Sequence, residues 1–484
     1  MAVISYATPA RLVRIPWLPS FLQPAPAAAE AITDPDRIAR TYRFWRSDIL
    51  LSTIVGYAMF YFVRKNLSVA MPVMEQELGI TKSSLGLFLT LHGLIYGLSK
   101  FGNGIVGDRA NARTFLVCGL VLSALCNIAF GFSTGVVAFG VIWMLNGWFQ
   151  GMGFPPCARL MTHWFPPRRL ATVMSVWNVS HSIGAGAVVV LCGYLVSHFG
   201  DWRLCFFVPA GIAIFFAIVL LFTLRDTPPS VGLPEVEGTE DGGEVGVRGS
   251  GVGFREEVEA TPSSFPETRN PTPETRSDSF RDTLVRHVFS NRYIWILSLA
   301  NFFVYTIRYA VLDWGPTLLK EAKGMSLAHA GWTVAAFELA GITGMLMGGW
   351  VTDRLFGGRG ARTCLFCMIL CGLSVFAFWK LPAGSSRAMT TGMLMAAGFF
   401  IYAPQALVGI SAANLATKKA AATAVGLTGI FGYASSIVSG WGLGTLVDHY
   451  GWDRAFVAMI VAAGIGALIF LLAWPAKAHG YKAS

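Results

Sequence analysis

Charge is scarce in this chain. Only 13% of its 484 residues are Asp, Glu, Lys or Arg, 54% are hydrophobic, and mean hydropathy is +0.55. Soluble proteins carry about a quarter charged residues, so the scarcity excludes a soluble domain and places the chain in a bilayer. The net charge of +10 is scattered through short loops and forms no basic stripe, which argues against a nucleic-acid surface. No nucleophile–base pair and no cluster of metal-ligating side chains is visible, so neither an enzyme nor a cofactor nor a metal site is expected. All eight cysteines fall in or beside apolar segments. Cys364, Cys367 and Cys371 share one helical face, but without a second ligand pair they read as small packing residues, and no disulfide is expected.

The first 29 residues contain no acid. Pro9, Pro16, Pro19, Pro24 and Pro26 interrupt any signal-peptide core, so the start reads as a disordered cytosolic tail without a cleaved signal. Ser5 and Ser20 are its only serines, which tells against a transit peptide.

Apolar runs are present. They lie near 49–71, 84–106, 114–132, 136–158, 171–196 and 204–223, then near 293–313, 328–350, 363–380, 388–411, 420–446 and 455–474. Each can supply the roughly 20 residues a span requires. The expected organisation is an all-α membrane protein of twelve transmembrane helices in two pseudo-symmetric six-helix bundles. Its parts are a cytosolic tail at 1–47, bundles at 48–224 and 291–475, a cytosolic linker at 225–290 and a tail at 476–484. The linker, rich in Glu, Gly, Pro, Ser and Arg, has little to bury, apart from an amphipathic stretch at Phe280 to Phe289.

Features recur between the halves. Asp108-Arg109 after the second run matches Asp353-Arg354 after the eighth, with 353 − 108 = 245. His198-Phe199-Gly200 matches His449-Tyr450-Gly451, with 449 − 198 = 251. Basic residues such as Arg109, Arg113, Arg168, Arg169, Arg354, Arg359, Arg362, Lys418 and Lys419 crowd alternate loops, which puts both termini and the linker in the cytosol.

Two arginines break the apolar runs, Arg64 and Arg308, each about fifteen residues into the first run of its half. An arginine at membrane depth costs roughly 2.5–3.5 kcal/mol on insertion scales and is a functional candidate by default. Halves related along the membrane normal keep equivalent residues at equal depth, so the two guanidiniums can face one another. Their rigid donor forks suit bidentate capture of phosphate oxygens. Tyr57, Tyr61 and Arg64 share one helical face, Tyr305 stands one turn before Arg308, and Tyr96 one turn before Lys100. A phenol beside a cation in three helices suits an oxyanion carrying a small polyol. Any single tyrosine can equally be packing or an interfacial anchor. His181, one turn after Asn178, is either a helix–helix hydrogen-bonder or a pH-sensitive third donor. Lys65 borders the cavity or pairs elsewhere, and Glu338 reads as the structural partner of a lysine or arginine.

At these residues the chain resembles the organophosphate:phosphate antiporters of the major facilitator superfamily, most closely their bacterial glycerol-3-phosphate branch. The resemblance rests on Tyr61 to Asn66, Gly147 to Gly153, Tyr305 to Tyr309, Asp313 to Thr317, Lys418 to Ala421 and Gly429 to Tyr433, and spans about Tyr42 to Pro475. It implies that Arg64 and Arg308 bind the phosphoryl group. It also implies that His181 and Lys100 are inner donors and that Tyr57, Tyr61, Tyr96, Tyr305, Tyr402 and Tyr433 line the cavity. Asn178 and Gln150 join this candidate binding set. Lys65, Glu338, Asp108, Arg109, Asp353 and Arg354 are expected to be structural or gating residues. His92 departs from the pattern. The implied function is rocker-switch exchange of inorganic phosphate for a phosphate ester across a bacterial inner membrane, by a functional monomer surrounded by membrane lipid. Family members selective for hexose phosphates can carry a lysine where this chain has Thr428, which favours glycerol 3-phosphate here. The alternatives are a hexose-6-phosphate antiporter or a transporter-like sugar-phosphate sensor.

Overall fold

The computed structural model of the protein describes residues 15–107, 109–236, 288–416 and 421–476, and among them no strand occurs. The first half contains α1 (Pro35–Phe62), α2 (Leu67–Leu78), α3 (Lys82–Gly107), α4 (Ala112–Phe132), α5 (Val136–Gln150), α6 (Phe154–Trp164), α7 (Pro167–Phe199) and α8 (Leu204–Thr223). The second contains α9 (Arg292–Lys323), α10 (Leu327–Phe356), α11 (Gly360–Lys380), α12 (Arg387–Leu415), α13 (Ala421–Ala434), a π-helical segment (Ile437–Gly442) and α14 (Leu443–Leu472). Asp108, Lys418 and Lys419 lie outside the described residues, as does most of the expected linker.

Nine segments among the described residues are long and apolar enough to cross a bilayer. Ala424–Leu472, at 49 residues, is far longer than the roughly 20 a bilayer needs. It is broken at Gly451, whose φ of 74° and ψ of 178° are open to glycine but strained for other residues. The chain turns there.

Packing repeats between the halves. In the first, α3 lies on α5, α4 on α5 and α8, and α1 on α7 and α8. In the second, α10 lies on α12, α11 on α12 and α14, and α9 on α13 and α14. The halves meet where α7 packs on α10, α3 on the π-helical segment and the start of α14, and α2 on α9.

The N-terminal segment corrects the expectation of a disordered tail. Leu18 and Leu22 are buried against Ala110, Phe115 and Met152. The Asn111 amide donates to the Leu22 carbonyl at 2.9 Å, Ala28 to Pro229 at 2.9 Å and Ile32 to Gly232 at 2.8 Å. Asp226, 2% exposed, joins the segments of this strap: its carboxylate accepts from the amides of Ala25 at 3.1 Å and Ala112 at 2.8 Å, with Arg159 at 3.7 Å. Helix α1 therefore begins well before residue 48, with Asp34 accepting from the Asp36 amide and Pro35 in the first turn. Residues 225–236, expected in a loose linker, belong to this packed strap.

Candidate functional site

Arg64 and Lys65 owe their positions to a break in the helix at 63–66, between α1 and α2. Non-helical backbone at membrane depth is tolerated only where its polar groups are satisfied. Here the Val63 carbonyl accepts from Asn127 Nδ2 at 2.8 Å and from Asn146 Nδ2 at 2.9 Å. Asn66 Nδ2 donates to Asn127 Oδ1 at 2.7 Å and to the Cys205 carbonyl at 2.8 Å. Gln150 Nε2 donates to the Phe60 carbonyl at 3.1 Å, so this candidate binding residue braces α1 from within the bundle. Arg308, by contrast, projects from the uninterrupted helix α9.

The two arginines share neighbours. The Arg64 guanidinium lies 4.1 Å from the Tyr61 ring centre and 5.0 Å from that of Tyr96. Arg308 lies 4.8 Å from Tyr402, 5.8 Å from Tyr309 and 5.9 Å from Tyr305. Tyr61, Tyr309 and His181 are within electrostatic range of both guanidiniums. Aromatic faces stabilise each cation by about 0.5–2 kcal/mol without using its hydrogen-bond donors. Nε of each arginine is buried and has no partner. A buried donor without an acceptor is costly, and an oxyanion between the halves would relieve both.

The remaining expected residues gather around this centre. Tyr57 and Tyr96 hydroxyls lie 3.3 Å apart, and the Tyr96 ring meets Tyr433 edge-on at 5.1 Å. Lys100 Nζ stands 3.4 Å from the Tyr433 hydroxyl and 3.9 Å from the Phe154 ring centre. His181 packs against Tyr57 at 4.7 Å, Trp177 at 5.2 Å and Tyr61 at 5.5 Å. Its Nδ1 is 2.8 Å from the Asn178 carbonyl, which can only accept, so Nδ1 carries a proton. Nε2 can then donate to an anion only when the ring is an imidazolium. Asn178 itself is exposed.

Lys65 does pair elsewhere, forming an ion pair with Asp313 of α9 and lying 5.0 Å from the Tyr309 ring centre. Glu338 is fully buried beside Arg308 and Tyr402, yet neither carboxylate oxygen has a hydrogen-bond partner and no ion pair reaches it among the described residues. His92 is buried between Tyr96 and Trp143. Arg109, Asp353 and Arg354 are exposed at the end of the molecule that also carries the N-terminal strap. Asp313 and Tyr309 belong to this candidate site by their contacts, and a reading of single positions passed over them. Tyr309 adjoins Arg308, and Asp313 is an acid within a membrane helix, so both signals were present. Trp177 and Phe154, by contrast, are unremarkable aromatics in sequence.

Comparison with known proteins agrees with this architecture. The family model for the Major Facilitator Superfamily matches residues 53–440 and 324–484. A probable hexose phosphate transport protein of Chlamydia pneumoniae is 37% identical over 457 residues, covering 94% of this chain and 97% of that protein. Membrane sensor protein UhpC of Escherichia coli is 38% identical, covering 92% and 96%. A glycerol-3-phosphate transporter of Bacillus subtilis is 37% identical, covering 91% and 95%. These identities do not single out the glycerol-3-phosphate branch, contrary to expectation. Among solved structures, a bacterial homologue of the lysosomal transporter Spinster, inward-facing and unoccupied, superposes with a TM-score of 0.66 at 17% identity, covering 89% of this chain and 97% of that one. This multi-pass membrane protein belongs to the organophosphate:phosphate antiporter family of the major facilitator superfamily and is not an enzyme.

Proposed function

We propose that the protein exchanges inorganic phosphate for a phosphate monoester, held between Arg64 and Arg308 and exposed alternately to the two sides of the membrane. What supports this is the shared neighbourhood of two guanidiniums contributed by opposite halves, each with a buried Nε that has no hydrogen-bond partner. A phosphate monoester carries about −1.5 to −2 at neutral pH, which two arginines match. The twelve spans form two six-helix bundles that rock about the site, with both termini in the cytosol and the monomer as functional unit. Tyr57, Tyr61, Tyr96, Tyr305, Tyr402, Tyr433, Lys100, His181, Asn178 and Gln150 complete the binding set.

For the ester, relatives named for hexose phosphate weigh more than the argument from Thr428. That residue is 3% exposed, its hydroxyl bonds the Val425 carbonyl at 2.8 Å, and its carbonyl accepts from Asn301 of α9. Its side chain is engaged within its own helix, so the absence of a lysine there says little about sugar hydroxyls in this conformation. A hexose 6-phosphate is therefore favoured over glycerol 3-phosphate.

Counterflow in proteoliposomes loaded with labelled phosphate tests the proposal. Faster release is expected with external glucose 6-phosphate than with glycerol 3-phosphate, and the reverse order would restore the glycerol ester. The relative named a membrane sensor supports a second reading. Binding of sugar phosphate with no exchange of any substrate would favour it and end the transporter proposal.

A further inference from the structure

At one end of the molecule the two halves meet through two related contacts. Helix α3 has three amides at its start without intrahelical acceptors. Its own Thr81 hydroxyl takes that of Ser84 at 3.2 Å. The other two come from Lys82 and Ser83, and both go to the opposite half, to Asp448 Oδ1 at 3.2 Å and Oδ2 at 2.6 Å. Helix α10 begins in the same way. Its own Ser326 hydroxyl takes the His329 amide at 3.4 Å, while the Ala328 amide donates across to Ser197 Oγ at 3.1 Å.

The correspondence is positional as well as chemical. Thr81 and Ser326 differ by 326 − 81 = 245, and Ser83 and Ala328 by 328 − 83 = 245. Ser197 and Asp448 differ by 448 − 197 = 251. The glycines beneath follow the same offsets. A Cβ on Gly193 would stand 2.7 Å from the Leu327 carbonyl oxygen, and one on Gly331 would stand 2.7 Å from that of Val189. Gly444 and Gly86 meet the carbonyls of Lys82 and Gly440 in the same manner, with 444 − 193 = 251 and 331 − 86 = 245. Close backbone approach thus lets each half reach the amides at the head of a helix in the other.

We propose that Asp448 and Ser197 are paired latches that hold this end closed, each by capping a helix of the opposite half, and that both must release before the end opens. This rests on the alternating-exposure reading above. The latches are unequal. The carboxylate of Asp448 holds two amides with a charge-assisted bond at a helix N-terminus, while the hydroxyl of Ser197 holds one. Ser83 Oγ and Thr445 Oγ1, 2.8 Å apart, and Lys82, paired with Glu75 and 3.3 Å from Glu321, add to the Asp448 side. The α3 seam therefore resists opening more than the α7–α10 seam.

Spin labels at Thr134 and Ala383, exposed loop positions of the two halves at this end, report the opening as an electron–electron distance distribution on the full chain in lipid nanodiscs. The parent should give one short-distance population. Asp448→Ala should add a longer-distance population, Ser197→Ala a smaller one, and the double variant the largest. Asp448→Asn, which keeps one acceptor oxygen, should fall between parent and Asp448→Ala, and it serves if the alanine variant folds poorly. Thr81→Ala removes a cap within one half, so it should lower the melting temperature and leave the distances unchanged. A double variant whose distribution superposes on the parent's overturns the proposal, as does a Thr81→Ala variant that opens the end as far as Asp448→Ala. The readout needs no substrate, so failure of phosphate exchange in the counterflow assay does not affect it.

Discussion

Lys65 and Asp313 form an ion pair that ties the broken helix of the first half to α9 of the second, and their side chains are 10% and 12% exposed. The pair sits one residue past Arg64 and within the same helix as Arg308. It therefore fixes the two candidate phosphate ligands relative to each other. Breaking such a buried pair by removing one partner costs about 3–5 kcal/mol, whereas neutralising both is far milder. Asp313→Asn and Lys65→Gln should each lower the melting temperature in detergent more than the double variant does. Additive losses across this cycle would show that the pair does not couple the halves.

The break at 63–66 depends on two asparagines donating to one carbonyl. Asn127→Ala or Asn146→Ala alone leaves the Val63 carbonyl one donor, and each should cost about 1–3 kcal/mol. Removing both strands a carbonyl at membrane depth and should also displace Arg64, abolishing phosphate binding in equilibrium dialysis. Parent-like binding by the double variant would mean that Arg64 is positioned by something else.

Much of this was legible in the sequence, for physical reasons that differ by residue. Arg64 and Arg308 stand out because charge is scarce within apolar runs, and the 245 and 251 offsets expose the repeat in the sequence itself. The partner of Lys65 was not legible, because an ion pair across 313 − 65 = 248 positions is a tertiary fact. Leu18 and Leu22 sit in a proline-rich stretch without periodicity, so nothing local marks them as buried. The start of α1 was signalled by Asp34-Pro35, but Arg37, Arg40, Arg43 and Arg46 keep that first part of the helix below any hydropathy threshold. Glycine was visible at Gly86, Gly193, Gly331 and Gly444, but not that each faces a carbonyl of the other half.

His181 can donate Nε2–H to a bound anion only as an imidazolium, since Nδ1–H is held by the Asn178 carbonyl. With Arg64 and Arg308 facing it, the ring holds that second proton only while an anion is bound, so the parent should lose affinity for phosphate ester as pH rises from about 5.5 to 8 and that proton is given up. His181→Gln should lose less over the same range, the titration of the ester itself being common to both. Superposable profiles would remove His181 from the binding set.

The N-terminal strap is held by Asp226, whose carboxylate serves two amides and Arg159. Asp226→Ala leaves these buried donors unmatched and should cost about 1–3 kcal/mol, seen as a lower melting temperature and faster proteolysis near Ala29. A variant as stable and as protease-resistant as the parent would show that the strap contributes nothing to the first half.

In the proposed exchange Arg64 and Arg308 together hold the phosphoryl group. Arg64→Lys and Arg308→Lys keep the charge but lose the planar donor fork, and each should forfeit about 1.5–3 kcal/mol of charge-assisted hydrogen bonding, roughly tenfold to a hundredfold in affinity. Phosphate–phosphate exchange in proteoliposomes, with binding and folding measured on the same preparations, is the direct measurement. Both folded lysine variants should bind phosphate weakly and exchange it little. Near-parent binding and exchange by both would contradict that shared role.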